Sequence, residues 1–355
     1  MKEWNNPYNS FNSMKGLLYS PWYKSIRDWK DGKINKPLPP IEASLDPIHT
    51  CNLMCKHCNA HSYLEEKGML KRRMSDNHLF NLIRFLGDWG VKAICFGGGG
   101  EPTMHTALGK AIELTHYCGM ESSVATNGTL LTDKLIETMA KYCRWVGISV
   151  DAFKASTYKE GRNKDLIGVA FHNIKKLSNK TKELESKCDV SFKFLIMPYN
   201  QLEIFGACLV AKDLGVKDFH ARPADFRHQG LGEWKKKNNE YKIKIIKDQF
   251  EKCHEIETKD FRVFTIMHKF DENFLPIKNF TQCYASPCCI QLCANGDIYL
   301  CPDQRDEEFY KLAEHDPDPK RILDIWGGKR HYDLVFNIGK DNCATRCTFS
   351  PYCKQ

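Results

Sequence analysis

The sequence predicts an α/β protein: a partial, open barrel of six strand–helix units followed by a small cysteine-rich C-terminal domain. Three observations carry that expectation. Strand-length apolar runs alternate with amphipathic helical stretches over about 180 residues from residue 41, and such alternation implies a parallel sheet covered by helices. A closed eight-stranded barrel would need two more units. From about residue 271 the pattern changes to short strands and cysteine-bearing loops.

The elements follow in order. Residues 1–40 form an aromatic-rich N-terminal extension (Trp4, Tyr8, Phe11, Tyr19, Trp22, Tyr23, Trp29), with a short helix around 21–31 closed by the KPLPP run. A strand over 41–48 leads into the first cysteines. Ser75 caps a helix whose Leu79, Leu82, Ile83 and Leu86 share one face. Strands at 91–96, 121–126, 145–151, 188–197 and 217–223 then alternate with helices at 104–118, 132–141, 164–179 and 201–214. The domain ranges are therefore 1–40, 41–270 and 271–355. Active sites of such folds gather at the carboxyl ends of the strands, which makes the residues just past each strand the candidates.

Composition narrows the function. Of 355 residues, 42% are apolar and 27% charged, the balance of a globular chain rather than a disordered one. No run approaches the ~18 continuous apolar residues of a membrane span. The opening MKEWNNPYNSFNSMKG lacks the apolar core of a secretory signal, so the expected location is the cytoplasm, with no membrane partner. Lysines are densest over 234–249. They read as the solvated face of a helix, with a steering patch for an anionic substrate or acidic peptide as the alternative. Nothing in the chain resembles a nucleic-acid-binding module.

Seventeen cysteines are the informative count. Their odd number and the missing export signal speak against disulfides. Thiolate is a soft ligand that selects zinc, copper(I) or iron–sulfur clusters. Three cysteines fall at 51–58 and eight between 283 and 353, which favours two metal sites. Cys51-Asn-Leu-Met-Cys55-Lys-His-Cys58 directly follows the first strand. A [4Fe–4S] cluster usually takes four cysteines, so three leave one iron open. Structural zinc wants four closed ligands, and His57, adjacent to Cys58, points the wrong way to be the fourth. After the second strand, FGGGGEP (96–102) lets the backbone approach a ligand closely; taken alone, a tight turn explains it equally well.

CNLMCKHC resembles the signature of the radical S-adenosylmethionine (radical SAM) superfamily, and FGGGGEP resembles that family's GGE motif. The resemblance covers 41–353 and implies a partial (β/α)6 TIM-like barrel. It implies that Cys51, Cys55 and Cys58 ligate a [4Fe–4S] cluster whose open iron chelates the amino and carboxylate groups of S-adenosylmethionine. Cleavage of the S–C5′ bond by a cluster electron then gives a 5′-deoxyadenosyl radical, which abstracts a substrate hydrogen. Gly99, Gly100 and Glu101 are implied to hold the methionine amino group. His57 stands where the family often has an aromatic residue and is expected against adenine. Thr126, Asn127, Ser149 and Asp151 are expected to face the ribose and methionine parts, Asn200 the ribose or adenine, and Arg222 the methionine carboxylate. A satisfied turn or a salt bridge competes with each of these roles.

The C-terminal cysteines resemble the auxiliary-cluster domain called SPASM or, in its shorter form, twitch: Cys283, then Gly296 opening a GxxxxC that ends at Cys301, then Cys343, Cys347 and Cys353. Asn295-Gly296-Asp297 reads as a hairpin turn. Because the sequence stops two residues after Cys353, the resemblance favours twitch, with one auxiliary [4Fe–4S] cluster on Cys283, Cys301, Cys343 and Cys347. Cys289 or Cys353 can replace one of these, and structural zinc is the alternative. Cys288, Cys289 and Cys293 are otherwise packing residues, unless one donates a hydrogen atom to a substrate radical as an epimerase requires. Cys95, Cys118, Cys143, Cys188, Cys208 and Cys253 are expected to pack.

The family includes peptide maturases, sulfatase-maturing enzymes and enzymes acting on small molecules or sugars. The N-terminal extension is shorter than the peptide-recognition domain of many maturases. Oxidation or rearrangement of a small polar molecule or sugar is therefore expected, with peptide modification (cross-linking or epimerising) as the alternative. A non-catalytic zinc or iron–sulfur binding protein is the second alternative. A reductase such as flavodoxin or ferredoxin is the expected electron donor.

Overall fold

The computed structural model describes residues 20–224, 239–267, 270, 281–305 and 307–338. Its main elements, in chain order, are α1 (Ser20–Lys30), β1 (Glu42–Leu45), α2 (Asn59–Glu66), α3 (Asp76–Trp89), β2 (Ala93–Phe96), α4 (Leu108–Tyr117), β3 (Glu121–Thr126), α5 (Asp133–Tyr142), β4 (Cys143–Ser149), α6 (Ala155–Arg162), α7 (Ile167–Glu183), β5 (Asp189–Ile196), α8 (Ile204–Asp213), β6 (Asp218–Pro223), α9 (Ile243–Glu255), β7 (Arg262–Thr265), β8 (Cys289–Leu292), β9 (Asp297–Tyr299) and β10 (Lys311–Glu314). This is the α/β partial-barrel class that the alternation predicts. No described helix is long and apolar enough to cross a membrane.

Two compact units cut across the sequence ranges. One gathers residues 51–62 with the described part of 123–272; the other gathers the described parts of 12–50 and 273–355 with 63–122.

In the first unit β4, β5, β6 and β7 pair in parallel, in that order. Period-two alternation sorts their side chains onto two faces. Phe192, Phe194 and Ile196 of β5 and Phe219 and Ala221 of β6 are fully buried. That is the helix-covered face, since the Phe171 ring of α7 lies 6.3 Å from the Phe192 ring. The opposite face carries Ser191, Lys193, Leu195, Asp218, His220 and Arg222. α9 buries Ile246, Phe250 and Cys253 and exposes its lysines, as the lysine-rich pattern predicts for 242–249; residues 234–238 lie outside the described residues. Sequence reading omitted β7, whose four residues follow a polar stretch too short to show a period.

In the second unit β1 pairs in parallel with both β2 and β8. β8 turns back into β9 and β9 into β10, both antiparallel. Gly296, at φ +95°, supplies the left-handed residue of the expected 295–297 hairpin. α3 shows why the local sequence folds as it does. The Ser75 hydroxyl accepts from His78 N at its start, and Gly90 closes its end at φ +103°. Leu79, Leu82, Ile83 and Leu86 are fully buried between those caps, each worth about 1.5–3 kcal/mol over exposure.

Candidate functional site

The loop between β1 and α2 carries the first three cysteines. Cys51, Cys55 and Cys58 are half-buried free thiols. Each sulfur accepts one hydrogen bond: Leu53 N at 3.4 Å from Cys51, an Arg162 guanidinium nitrogen at 3.5 Å from Cys55, and His61 N at 3.4 Å from Cys58. Donors aimed at sulfur favour the thiolate, the form that binds metal. Burial pushes the Cys55 thiol up to about 12; Arg162 opposes this, while Cys58, Asp151 and Cys51 add to it. The three sulfurs therefore share one electrostatic neighbourhood, and a bound metal centre relieves the cost of ionising them there.

A buried network holds this loop. Asp151, just past β4, takes a left-handed φ of +63° and is 3% exposed. Its carboxylate meets Arg162 at 2.5 Å and His57 Nε2 at 3.3 Å, and it accepts Leu195 N at 2.7 Å. Burial alone would raise its pKa, but Arg162, His57 and the Leu195 amide outweigh that and hold it below the ordinary carboxylate value. Lys56 N donates to Gly161 O at 2.9 Å. Asn52 donates to Thr129 at 2.9 Å and accepts from Asn127 at 2.8 Å, tying the loop to the turn after β3.

In the second unit the glycine run after β2 lies against the segment that enters the cysteine loop. Gly100 N donates to Ile48 O, and Glu101 N to Thr50 O at 2.9 Å; Thr50 is the residue bonded to Cys51. A Cβ on Gly100 would stand 2.3 Å from Thr50 O and 2.4 Å from the His49 carbonyl carbon, so only glycine fits. Gly99 N donates to Asp46 Oδ2 at 3.2 Å, and Arg305 pairs with the same carboxylate at 3.3 Å. Glu101 is 3% exposed, and its Oε1 accepts from Thr103 N and Oγ1.

The remaining sequence candidates divide. Ser149 and Arg222 sit half-buried at the carboxyl ends of β4 and β6. Thr126 and Asn127 cap their own turn: Thr126 Oγ1 accepts Gly128 N, and Asn127 Oδ1 accepts Thr129 N. The amide of Asn200 donates to Asp151 O and Leu195 O, and its oxygen accepts Met197 N. Both amide hydrogens are thus engaged by backbone carbonyls. His57 lies against Asp151 through Nε2 at 3.3 Å. Sequence reading missed Arg162, Asn52, Asp46 and Arg305. Of these only Asp46, directly past β1, stands beside a strand end; Arg162 ends α6, and Asn52 and Arg305 lie in loops.

Among the C-terminal cysteines, Cys283, Cys288, Cys289 and Cys301 lie in one apolar cluster with Ile26, Trp29, Leu334 and Phe336. Cys283 accepts Ser286 N at 3.4 Å. Burial pushes the Cys288 thiol up to about 12 and Cys289 well above its usual value. Cys343, Cys347 and Cys353 lie outside the described residues. Among the described residues no three Cys, His, Asp or Glu side chains already form a metal-binding group.

Comparison with known proteins bears on the family. Residues 45–200, a little under half of the chain, match the family model described as the radical SAM superfamily. That span is similar to a radical SAM domain. Among curated radical SAM relatives, an S-adenosylmethionine-dependent nucleotide dehydratase of Lacinutrix mariniflava is 30% identical over 115 residues, 32% of this chain and 24% of that protein. The antilisterial bacteriocin subtilosin biosynthesis protein AlbA of Bacillus subtilis is 27% identical over 183 residues, 51% of this chain and 38% of that protein. The match thus spans well under half of either relative's length. By structure, Streptococcus suis SuiB bound to S-adenosylmethionine superposes with a TM-score of 0.62 at 16% identity, covering 88% of this chain and 71% of SuiB. AdoMet-bound anSMEcpe gives 0.60 at 19% identity, covering 89% and 88%. These two likenesses establish the fold. Three thiols in one loop, each facing an N–H donor, fit the [4Fe–4S] cluster and S-adenosylmethionine of the radical SAM family.

Proposed function

We propose that this chain is a radical SAM enzyme that removes a hydrogen atom from a small polar molecule or sugar to oxidise or rearrange it, and that an auxiliary cluster in the C-terminal region, when bound, would serve as electron acceptor for an oxidation. When bound, the [4Fe–4S] cluster and S-adenosylmethionine supply the one-electron cleavage that generates the hydrogen-abstracting 5′-deoxyadenosyl group. The chain's residues do the rest. Cys51, Cys55 and Cys58 hold three irons, and the Asp151–Arg162 pair fixes the loop that carries them. Gly99, Gly100 and Glu101 receive the methionyl amino group, with Asp46 orienting the Gly99 amide. Ser149 and Arg222 face the ribose and carboxylate. Cys283, Cys301, Cys343 and Cys347 hold the auxiliary cluster, with Cys289 or Cys353 as replacement for one of them.

The observation that carries this reading is the set of three hydrogen-bonded sulfurs in one short loop, which leaves a cubane one unfilled corner. The nucleotide dehydratase relatives support a small polar substrate. A peptide substrate is the second reading, favoured by the longer match to the subtilosin biosynthesis protein. A low-potential reductase such as flavodoxin or ferredoxin completes the proposal, with the chain acting in the cytoplasm.

Anaerobic reconstitution with iron and sulfide, then reduction with dithionite, tests it. Formation of 5′-deoxyadenosine from S-adenosylmethionine is expected. Fully loaded protein that makes none would overturn the reading.

A further inference from the structure

The inner face of the β4–β7 unit sorts by charge along the strands. Register aligns Gly147, Ser191, Asp218 and Arg262 in one layer, and Ser149, Lys193, His220 and Phe264 in a layer nearer the carboxyl ends; Leu195 and Arg222 lie beyond them. The lower end is acidic and closed. Arg262 pairs with Asp189 at 3.0 Å and Asp218 at 3.3 Å, and Ser191 donates to Asp218.

The layer above is built from donors. Lys193 Nζ lies 2.5 Å from His220 Nδ1 and 4.9 Å from the Trp145 ring centroid. An ammonium group only donates, so Nδ1 accepts and the neutral imidazole carries its proton on Nε2. The cation–π contact pins the ammonium above the indole. Trp145 is 4% exposed, and its Nε1 has no hydrogen-bond partner among the described residues. Its ring covers Gly147 so closely that a Cβ there would stand 2.0 Å away. Gly147 is what lets the indole lie flat as a floor.

The helix-facing Phe192, Phe194, Phe219 and Ala221 are fully buried, whereas Lys193, Leu195, His220 and Arg222 on the opposite face are only half-buried, with His220 Nε2 itself enclosed. Lys193, His220, Arg222 and Arg262 stand on this face with Asp189 and Asp218, and Lys193 and Arg222 lie toward the strand carboxyl termini where Ser149 sits.

We propose that this layer binds an acidic group of the substrate, a phosphate or a carboxylate, with the Lys193 ammonium as the direct donor, positioned by His220 Nδ1 over the Trp145 floor. A fixed ammonium on a half-buried face favours a group that accepts. The inference rests on the radical SAM reading for the chemistry done to the substrate, but its anion recognition is testable separately.

The test is anaerobic equilibrium dialysis of the reconstituted holoenzyme against labelled inorganic pyrophosphate and, separately, labelled citrate. Saturable binding of at least one anion is expected, and which one binds tells phosphate from carboxylate. Lys193→Met should weaken that binding by about tenfold or more, as loss of a hydrogen bond to a charged group does. His220→Gln should weaken it less, and Lys244→Met, on the exposed face of α9, should leave it unchanged. If Lys193→Met does not fold, His220→Gln and Trp145→Phe carry the test. The proposal is overturned if wild-type enzyme binds neither anion, or if these variants bind as wild type does. Substrate-free 5′-deoxyadenosine formation, measured in parallel, is expected to persist in the variants. Its absence from wild type sinks the radical reading and leaves the anion result standing on its own.

Discussion

The same residue type sits in two opposite settings in this chain. Cys51, Cys55 and Cys58 are half-buried, each sulfur meets an N–H donor, and an ion pair lies behind them. Cys283, Cys288, Cys289 and Cys301 are at most 8% exposed and packed among Trp29, Leu334 and Phe336. A half-exposed, donor-rich setting suits a centre that must exchange a small ligand. An apolar, enclosed one suits a centre that only passes electrons, because the shell around a metal site controls its solvent access and potential. The contrast predicts that the two sets of cysteines fail differently.

The largest effect is expected from Cys55→Ala. It should remove the iron of the first site and abolish 5′-deoxyadenosine formation. Cys283→Ala should lose auxiliary iron and substrate turnover yet still cleave S-adenosylmethionine. Iron analysis together with the cleavage assay checks both, and equal loss of cleavage in the two variants would erase the distinction.

Next is the ion pair behind the first loop. Arg162→Met leaves Asp151 buried without its cation and should cost about 3–5 kcal/mol of folding stability, read by denaturant unfolding. Asp151→Asn added to it should recover much of that loss, since asparagine tolerates the left-handed backbone.

Acid separates the regions further. Burial, with His78, pushes His315 down to about 4, and burial pushes His331 down to about 3. Both stay neutral in the folded chain while the unfolded chain takes up protons from about pH 6.5. Their stabilisation is complete above that value and is lost as pH falls toward 4 and 3, at most roughly 3 kcal/mol for His315 and about 5 kcal/mol for His331. Asp151, held below its ordinary value, loses its contribution only below about pH 4. Unfolding midpoints between pH 7 and 4 should therefore fall, and His315→Gln should flatten the slope.

A smaller effect is expected at the glycine loop. Gly100→Ala must push the Thr50 carbonyl aside, at a cost of about 1–3 kcal/mol, and should weaken S-adenosylmethionine binding while the iron content of the first site is unchanged.

These contrasts also show what the sequence could reveal. Strands β1 to β6 and helices α3, α4, α5, α7 and α8 were legible because each carries its own period and caps, as Ser75 and Gly90 do for α3. β7 and α6 were too short to show a period. The CxxxCxxC and GGGGE segments were legible because their chemistry is contiguous in sequence. Arg162, Asp46 and Arg305 were not, because their roles arise only when residues such as 55 and 162, or 46 and 305, are brought together. Asn200 shows the converse: a polar residue past a strand is easy to single out, but that its amide donates to two backbone carbonyls emerges only in the fold.

Electron–nuclear double resonance on the dithionite-reduced holoenzyme, with S-adenosylmethionine carrying 15N in its amino group, addresses the first cysteine site most directly. A hyperfine coupling between that nitrogen and the cluster is predicted, together with three cysteine ligands. Coupling to a protein nitrogen such as that of His57, with none from the labelled amino group, would contradict it.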